Sequence, residues 1–425
     1  MRNNLRYLTG NILVFALTDL VGNFARMLVF PYASLYVLAL GGDASRIGWI
    51  NFIALLASLF ILPLAGYITD HVDRIRLIAL AGYLSSLFLV LIILAPNWQV
   101  LAVAFFLFGT VVFQFPAYSS LVADSLLPQD RGRGIGAMNT ISSSLAVFAP
   151  YLAGLIIEKY TVNLGMRILY TTMLVCYLVG TTIQLKFLRE NSPTPRRHIV
   201  LADLVRALGQ AYRAFPSLIK QMPTPLKALA WVVLLSFIIN GFTSAFWVVF
   251  ATEQIRLSTA EWGLILLVEA VIKMAAFIPA GWLVDRLGRT KSLLAALLVS
   301  LVFQPLFVIA GGFWPVLLIR LVLAFAFCLA IPACMALMAD LVPRPLRGQM
   351  MAAIGQGGLM IAPSGGAGGP SLGYLFIPPM MLASLVSGYL YLWHPALPWL
   401  FALPVTLISI ILIVRYIRDP KEAEI

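Results

Sequence analysis

Long apolar runs separated by short polar connections dominate the chain. Twelve of them reach the roughly 20 mainly apolar residues that a membrane-spanning helix needs: residues 10–38, 47–69, 77–95, 99–123, 136–157, 166–188, 226–252, 262–284, 292–312, 314–341, 373–393 and 397–416. An even number of spans places both ends on one side. The run that follows Met1-Arg2-Asn3-Asn4-Leu5-Arg6 is far longer than the ~7–15-residue core of a secretion signal, so it is expected to remain as a membrane anchor.

Composition agrees with lipid as the solvent. Of 425 residues 61% are hydrophobic and 11% charged, whereas soluble domains hold about 25% charged residues. A soluble chain of this length would divide into domains that each need a polar shell, and the residues for such shells are not there. The formal charge of +12 does not point to nucleic acid, because the basic residues sit between apolar runs and not on one face of a soluble domain. Cys176, Cys328 and Cys334 all fall inside apolar segments without metal-ligand spacing. They read as small packing residues, and no cofactor or metal site is expected.

Charge also sets the orientation. With the amino terminus inside, cytoplasmic connections hold 22 of the 29 Lys and Arg residues and outer connections hold 4, which is the bias that retains loops in the cytoplasm. Both termini are therefore expected on the cytoplasmic side of an inner membrane.

Residues 189–225 break the pattern. A polar start, Glu190-Asn191-Ser192-Pro193-Thr194-Pro195-Arg196-Arg197-His198, leads into a basic amphipathic stretch from Leu201 to Lys220. Its apolar positions recur at helical spacing opposite Arg and Lys, as in a helix lying on an anionic lipid surface. It divides the chain into an amino-terminal six-helix bundle (1–188), a cytoplasmic linker (189–225) and a carboxyl-terminal six-helix bundle (226–425).

The two bundles are related in sequence. Gly48 and Gly263, Gly66 and Gly281, Asp70 and Asp285, and Pro128 and Pro343 are each 215 residues apart. Asp124 and Asp340, Arg131 and Arg347, and Gly132 and Gly348 are each 216 apart. Fixed self-similarity of this kind marks a duplicated architecture. Register is lost after Gly348, where the glycine-rich segment 355–370 adds about 18 residues and is expected to form a cytoplasmic loop or a water-lining break.

The repeated positions fall in recognisable motifs. After span eight the chain reads Gly281-Trp282-Leu283-Val284-Asp285-Arg286-Leu287-Gly288-Arg289-Thr290-Lys291, and after span two Gly66-Tyr67-Ile68-Thr69-Asp70-His71-Val72-Asp73-Arg74-Ile75-Arg76. Both resemble the G-x-L-x-D-R-x-G-R-[KR] signature of the major facilitator superfamily, at the position that family uses. Asp73 stands where the second glycine is expected. Between spans four and five, Asp124 to Gly132 resembles the family's acid-x-x-x-P-x-x-x-R-G element, and Asp340 to Gly348 repeats it. The resemblance covers essentially the whole chain and implies an all-α integral membrane fold of 12 transmembrane helices in two pseudo-symmetric six-helix bundles. It also implies a gating cluster made of Gly66, Asp70, Arg74, Asp124 and Arg131 in one half and Gly281, Asp285, Arg286, Gly288, Arg289, Asp340 and Arg347 in the other. The motif glycines are expected to let helices approach closely, and the charges to hold the cytoplasmic side shut in one state. That these charges only retain loops on the cytoplasmic face is the alternative.

Five charges lie inside spans: Asp19, Arg26, Glu269, Lys273 and Arg320. Each costs roughly 2.5–3.5 kcal/mol at a helix centre, so they must be paired or hydrated. Asp19 and Arg26 are seven residues apart on one helix face. Glu269 and Lys273 have the favourable i, i+4 order, and Arg320 enters span ten at a depth that suits a cross-helix pair with Glu269. Spans one, four, seven and ten line the central cavity in the family, which by resemblance puts Asp19, Arg26 and Arg320 where a substrate would sit. Gln114, Tyr118, Asn240, Trp247 and Gln304 are weaker polar and aromatic candidates. Two readings stay open for the charges: substrate and proton coupling, or mutually satisfied struts that fix helix register.

The chain resembles the proton-antiporting drug exporters of the family more than any sugar branch. Two departures restrain that assignment: Phe105 occupies the span-four arginine register of many such exporters, and Ala149-Pro150-Tyr151-Leu152-Ala153-Gly154 replaces G-P-x-x-G-G. The expected function is secondary transport by alternating access, as proton-coupled efflux of amphiphilic small molecules by a monomer in contact with membrane lipids. Three intramembrane cations against two anions favour an anionic or zwitterionic metabolite as the alternative. A non-transporting membrane sensor is a further one. An enzyme is not expected, since His71, His198 and His394 all lie near the membrane surfaces and no catalytic constellation or nucleotide-binding loop occurs.

Overall fold

A computed structural model describes residues 8–190, 209, 219–220, 222–342, 359 and 376–419. Among these, every regular element is a helix. Eleven helices are long and apolar enough to span a membrane: α1 Asn11–Ala39, α2 Ala44–His71, α3 Arg74–Leu94, α4 Trp98–Asp124, α5 Arg131–Tyr160, α6 Val162–Phe187, α7 Thr224–Glu253, α8 Thr259–Leu287, α9 Arg289–Ile309, α10 Phe313–Leu341 and α12 Leu397–Tyr416. Between the last two lies α11, Ile377–Trp393, apolar but 17 residues long. All twelve spans expected from hydrophobic runs are therefore present as helices. The sequence start of span eleven at 373, the amphipathic stretch of the linker and the glycine-rich segment 355–370 fall outside the described residues, apart from Gly209, Ile219, Lys220 and Leu359.

Several spans are interrupted where proline dictates it. Proline lacks the N–H that would bond four residues back, and its ring clashes with that carbonyl. In α4, Pro116 follows a 3-10 turn at Val111–Phe113. In α5, Pro150 follows a break over residues 145–148. In α1, Pro31 lies within the turn Phe30–Tyr32.

The chain divides into two compact units. The first comprises Met1–Tyr32, Ala39–Gly41 and Ile53–Tyr212, and the second Ala33–Leu38, Gly42–Phe52 and Arg213–Ile425. Within the first, α1 packs on α5 and α6, and α3 on α4 and α6. Within the second, α7 packs on α11 and α12, and α9 on α10 and α12. The same helix-pairing scheme thus occurs twice, which is the structural counterpart of the sequence repeat.

The first unit's core is largely aliphatic, with Ile12, Phe15, Leu77, Ile78, Leu121, Met138 and Leu188 buried together. The second unit carries an aromatic core, in which Trp247, Phe250, Phe307 and Trp399 meet tilted or edge-on at 4.4–5.5 Å. Lipid tails give no hydrophobic drive for helix association, so close packing and interhelical hydrogen bonds must hold such units together. The amino-terminal part of α2 belongs to the second unit and shows how close the packing is. A Cβ built on Gly48 would sit 2.7 Å from the Ser384 carbonyl oxygen and 3.2 Å from the Gly388 Cα of α11. Beside that crossing the Trp49 indole N–H donates to the Tyr389 hydroxyl at 2.9 Å.

Candidate functional site

The intramembrane charges form one group in each unit. In the first, Asp19 on α1 accepts a short hydrogen bond from the Tyr118 hydroxyl on α4. Tyr118 is held by an edge-on contact with Phe15 at 4.7 Å, four residues before Asp19 on α1. Gln114 lies half-buried at the break in α4, one turn before Tyr118. Arg26 is turned to the Tyr177 phenol of α6 and acts on Asp19 through space. The one-face relation of Asp19 and Arg26 holds, but no direct ion pair joins them among the described residues. Each has found a phenol on a neighbouring helix.

In the second unit the charges are in contact. Glu269 Oε1 lies 2.6 Å from Lys273 Nζ, one turn further along α8. Glu269 Oε2 receives two bonds from Arg320 on α10, from Nη2 at 2.6 Å and Nε at 2.8 Å. The cross-helix pair expected from depth alone is thus present. The three differ in exposure: the Arg320 side chain is 0% exposed, that of Glu269 3% and that of Lys273 21%. The α8 register that presents them starts at a capping box, with the Ser258 hydroxyl accepting from the Glu261 amide and the Glu261 carboxylate from the Ser258 amide. Such a box pairs two otherwise orphaned donors and fixes where the helix begins. From that start Trp262 and Glu269, seven residues apart, fall on one buried face.

Aromatic rings surround the cations. The Arg320 guanidinium lies 4.7 Å from the Trp247 ring and 5.7 Å from the Trp262 ring, and Lys273 Nζ lies 4.7 Å from Phe327. These are cation–π distances. Asn240 is fully buried with neither side-chain atom bonded to protein, and the indole N–H groups of Trp247, Trp262 and Trp399 and the Gln304 amide nitrogen are buried without a protein acceptor.

At one end of each unit, the repeated motifs make repeated ion pairs. Arg74, at the start of α3, bonds Asp124, at the end of α4, at 2.6 Å. Arg289, at the start of α9, bonds Asp340, near the end of α10. The loop arginines and the acids are therefore joined in both units, whereas Asp70 and Asp285 are exposed and form no ion pair among the described residues. Arg131 is exposed at the head of α5, and Arg286 lies over the Trp282 ring at 3.5 Å. Arg347 lies outside the described residues.

Two expectations need correction. A Cβ at Gly66 or Gly281 would meet nothing within 4 Å, so these motif glycines do not mark close helix contacts here. Such contacts are made at Gly48, Gly109, Gly241 and Gly388. The turn before α3 also manages without the second motif glycine. Gly288 has φ +92, a conformation that suits glycine, but Asp73 at the matching position has φ −55 and caps α3 through the Arg76 amide.

Sequence reasoning missed Tyr177, Trp262, Glu190 and Asp419. The last two carry a repeat of their own. Leu188-Arg189-Glu190 follows α6 and Ile417-Arg418-Asp419 follows α12, with the aliphatic residue buried in each case. Glu190 lies 3.7 Å from Arg74, and Asp419 caps α9. The signal was an aliphatic-Arg-acid triplet at the end of each half.

The Major Facilitator Superfamily profile matches residues 15–249 and 229–424. An uncharacterized MFS-type transporter of Methanocaldococcus jannaschii is 23% identical over 308 residues, which cover 68% of this chain and 70% of that one. Among solved structures, a nucleoside transporter superimposes with a TM-score of 0.70 at 12% identity, covering 95% of this chain and 99% of the other. A human organic anion transporter does so with a TM-score of 0.63 at 14% identity, covering 95% and 98%. With its twofold helix pairing, its repeated ion pairs and a family profile matched over nearly its whole length, the chain belongs to the Major Facilitator Superfamily and is a multi-pass membrane transporter of that fold.

Proposed function

We propose that the chain is a proton-coupled secondary transporter that exports amphiphilic small molecules by alternating access, with Asp19 as the coupling group. The halves 1–188 and 226–425, joined by the linker 189–225, are the bodies that move. One observation carries the choice of Asp19. Among the described residues its bonded partner is a neutral phenol, whereas Glu269 is held by two cations. Protonating Glu269 would leave Arg320 and Lys273 without a counter-ion in a poorly solvated place, at a cost of several kcal/mol. Protonating Asp19 breaks no ion pair, and Tyr118 can turn from donor to acceptor. Gain and loss of that proton would change the balance of charge with Arg26 and so the cheaper conformation.

Export rests on the chain's overall likeness to the drug-exporter branch, which Phe105 and the alanines of Ala149–Gly154 restrain. The Arg74–Asp124 and Arg289–Asp340 pairs supply elements that can break and re-form in such a cycle. Fold neighbours that carry different cargoes leave the substrate to the chemistry of the site.

The test is proton movement in liposomes holding the purified protein, with a panel of amphiphilic cations and organic anions. Substrate-dependent flux lost in Asp19→Asn, and kept in the charge-balanced pair Glu269→Gln with Arg320→Gln, is the expected result. Flux indifferent to Asp19→Asn removes this residue from the mechanism. Solute movement without proton flux removes proton coupling.

A further inference from the structure

Asn11 is the first residue of α1, and it is 6% exposed. An amide at a helix start ordinarily bonds the backbone beside it or turns to water. Asn11 instead reaches a residue 178 positions away in the chain. Its Oδ1 accepts from the Arg189 amide at 2.8 Å, and its Nδ2 donates to the Arg189 carbonyl at 2.7 Å and to the Ser125 hydroxyl at 2.9 Å. One side chain thus pairs with both backbone groups of Arg189, as a residue on a neighbouring strand would. It ties together α1, the end of α4 and the start of the linker. The Arg189 side chain is exposed, so Asn11 reads backbone, and Leu188 just before it is buried in the cluster that holds Ile12.

The clamp belongs to one half only. In the register of the repeat, Leu226 stands 215 residues on from Asn11, and Leu341 stands 216 on from Ser125. The Arg74–Asp124 pair and the aliphatic-Arg-acid triplet recur in the second half, but both polar members of the clamp are exchanged there for leucine. A contact that the six-helix bundle itself required would recur with them. The first half differs in that its triplet opens the linker 189–225.

Arg189 carries Glu190 with it. One nitrogen of Arg74, Nη1, lies 2.6 Å from Asp124 and 3.7 Å from Glu190. Two carboxylates drawing on one guanidinium nitrogen each weaken the hold of the other. The place of Glu190 is set by its neighbour in the chain, and so by Asn11.

We propose that Asn11 is a positioning residue through which the linker acts on the Arg74–Asp124 pair. While Asn11 holds the Arg189 backbone, Glu190 draws on Arg74 and eases its release from Asp124. When the clamp opens, Arg74 is left to Asp124 and the pair tightens. This rests on the transporter reading above and adds to it a control exercised by the linker.

The experiment uses the purified full chain. Asn11→Leu with Ser125→Leu copies the pair of the second half and keeps the contact apolar, and Glu190→Gln tests the same step with the clamp untouched. Hydrogen exchange at the Arg189 amide is expected to quicken about ten-fold or more in the double variant and to stay unchanged in Glu190→Gln. In an Arg74→Lys background, a carbodiimide should join position 74 to both Asp124 and Glu190. The double variant should lose the link to Glu190 and keep that to Asp124. In liposomes, maximal proton flux with 2-naphthoate or ethidium as solute should fall about two- to five-fold in the double variant and in Glu190→Gln alike. Half-saturation should not move, and combining the changes should bring no further fall. Arg189 exchange or the link to Glu190 unaffected by loss of the clamp overturns the proposal, as does maximal flux that ignores both variants. Absence of flux in every chain defeats the transporter reading alone, and exchange and cross-linking still decide the clamp.

Discussion

Asp419 closes the start of α9 by accepting hydrogen bonds at Oδ1 from both the amide and the hydroxyl of Thr290, each at 2.8 Å. In the other half the same position of α3 is capped from within by Asp73. The duplicated helix start is therefore satisfied in two ways: by a local aspartate where the turn has φ −55, and by a carboxylate from beyond α12 where glycine holds φ +92. Loss of a capping carboxylate costs about 1 kcal/mol. Asp419→Ala is expected to lower the midpoint of thermal unfolding in detergent. Adding Gly288→Asp should not restore it, because the backbone there holds φ +92, which disfavours any side chain.

The Arg74–Asp124 and Arg289–Asp340 pairs join the head of one helix to the end of the next in each unit. Both are partly exposed, with side chains 14–36% accessible, so each contributes only up to about 1 kcal/mol to stability. Asp124→Asn is expected to leave the unfolding midpoint nearly unchanged while altering the rate of solute exchange. The reversal Arg74→Asp with Asp124→Arg should recover the rate. Failure of the reversed pair to recover it would show that the charges act only as loop anchors.

Glu269 separates structural from coupling roles. Removing its charge leaves fully buried Arg320 without its carboxylate, which costs roughly 3–5 kcal/mol. Glu269→Gln is expected to give poorly folded protein by thermal unfolding and size-exclusion profile. Glu269→Gln with Arg320→Gln should recover most of the stability, because a neutral amide pair can bond across the same interface. Recovery without loss of proton flux fits a strut, and recovery with loss of flux would return Glu269 to the coupling step.

How much of this was legible depends on the range of the interaction concerned. The twelve helices were readable because lipid demands long apolar runs, and the Glu269–Lys273 bond because i, i+4 spacing places it on one helix. The Glu269–Arg320 bond could be placed by matching depth across two helices. The fate of Asp19 and Arg26 could not, since it depends on which side chains α4 and α6 turn toward α1, and sequence depth does not encode helix rotation. Asp419 was missed because its partner Thr290 is 129 residues away, although the triplet shared with Leu188–Glu190 was in plain view. The glycines mislead for a related reason: composition marks where close contact is permitted, and only packing decides where it occurs.

That distinction gives opposite signs for substitutions that look alike. A Cβ at Gly48 would lie 2.7 Å from the Ser384 carbonyl oxygen and 3.2 Å from the Gly388 Cα, both backbone atoms that cannot swing aside as a side chain would. The helices must separate, and overpacking of this kind costs about 1–3 kcal/mol. Gly66 lies within the helical part of α2, five residues before its end, with nothing within 4 Å of its would-be Cβ, so Gly66→Ala gains the helix preference of alanine, about 0.5–1 kcal/mol. Thermal unfolding should therefore fall in Gly48→Ala and stay level or rise in Gly66→Ala. The crossing at Gly48 also holds the Trp49–Tyr389 bond, so Gly48→Ala should shift Trp49 emission toward that of an unbonded indole, read against a Trp49→Phe control. If the two alanines behave alike in unfolding, the close approach of α2 to α11 is not a contact on which stability depends.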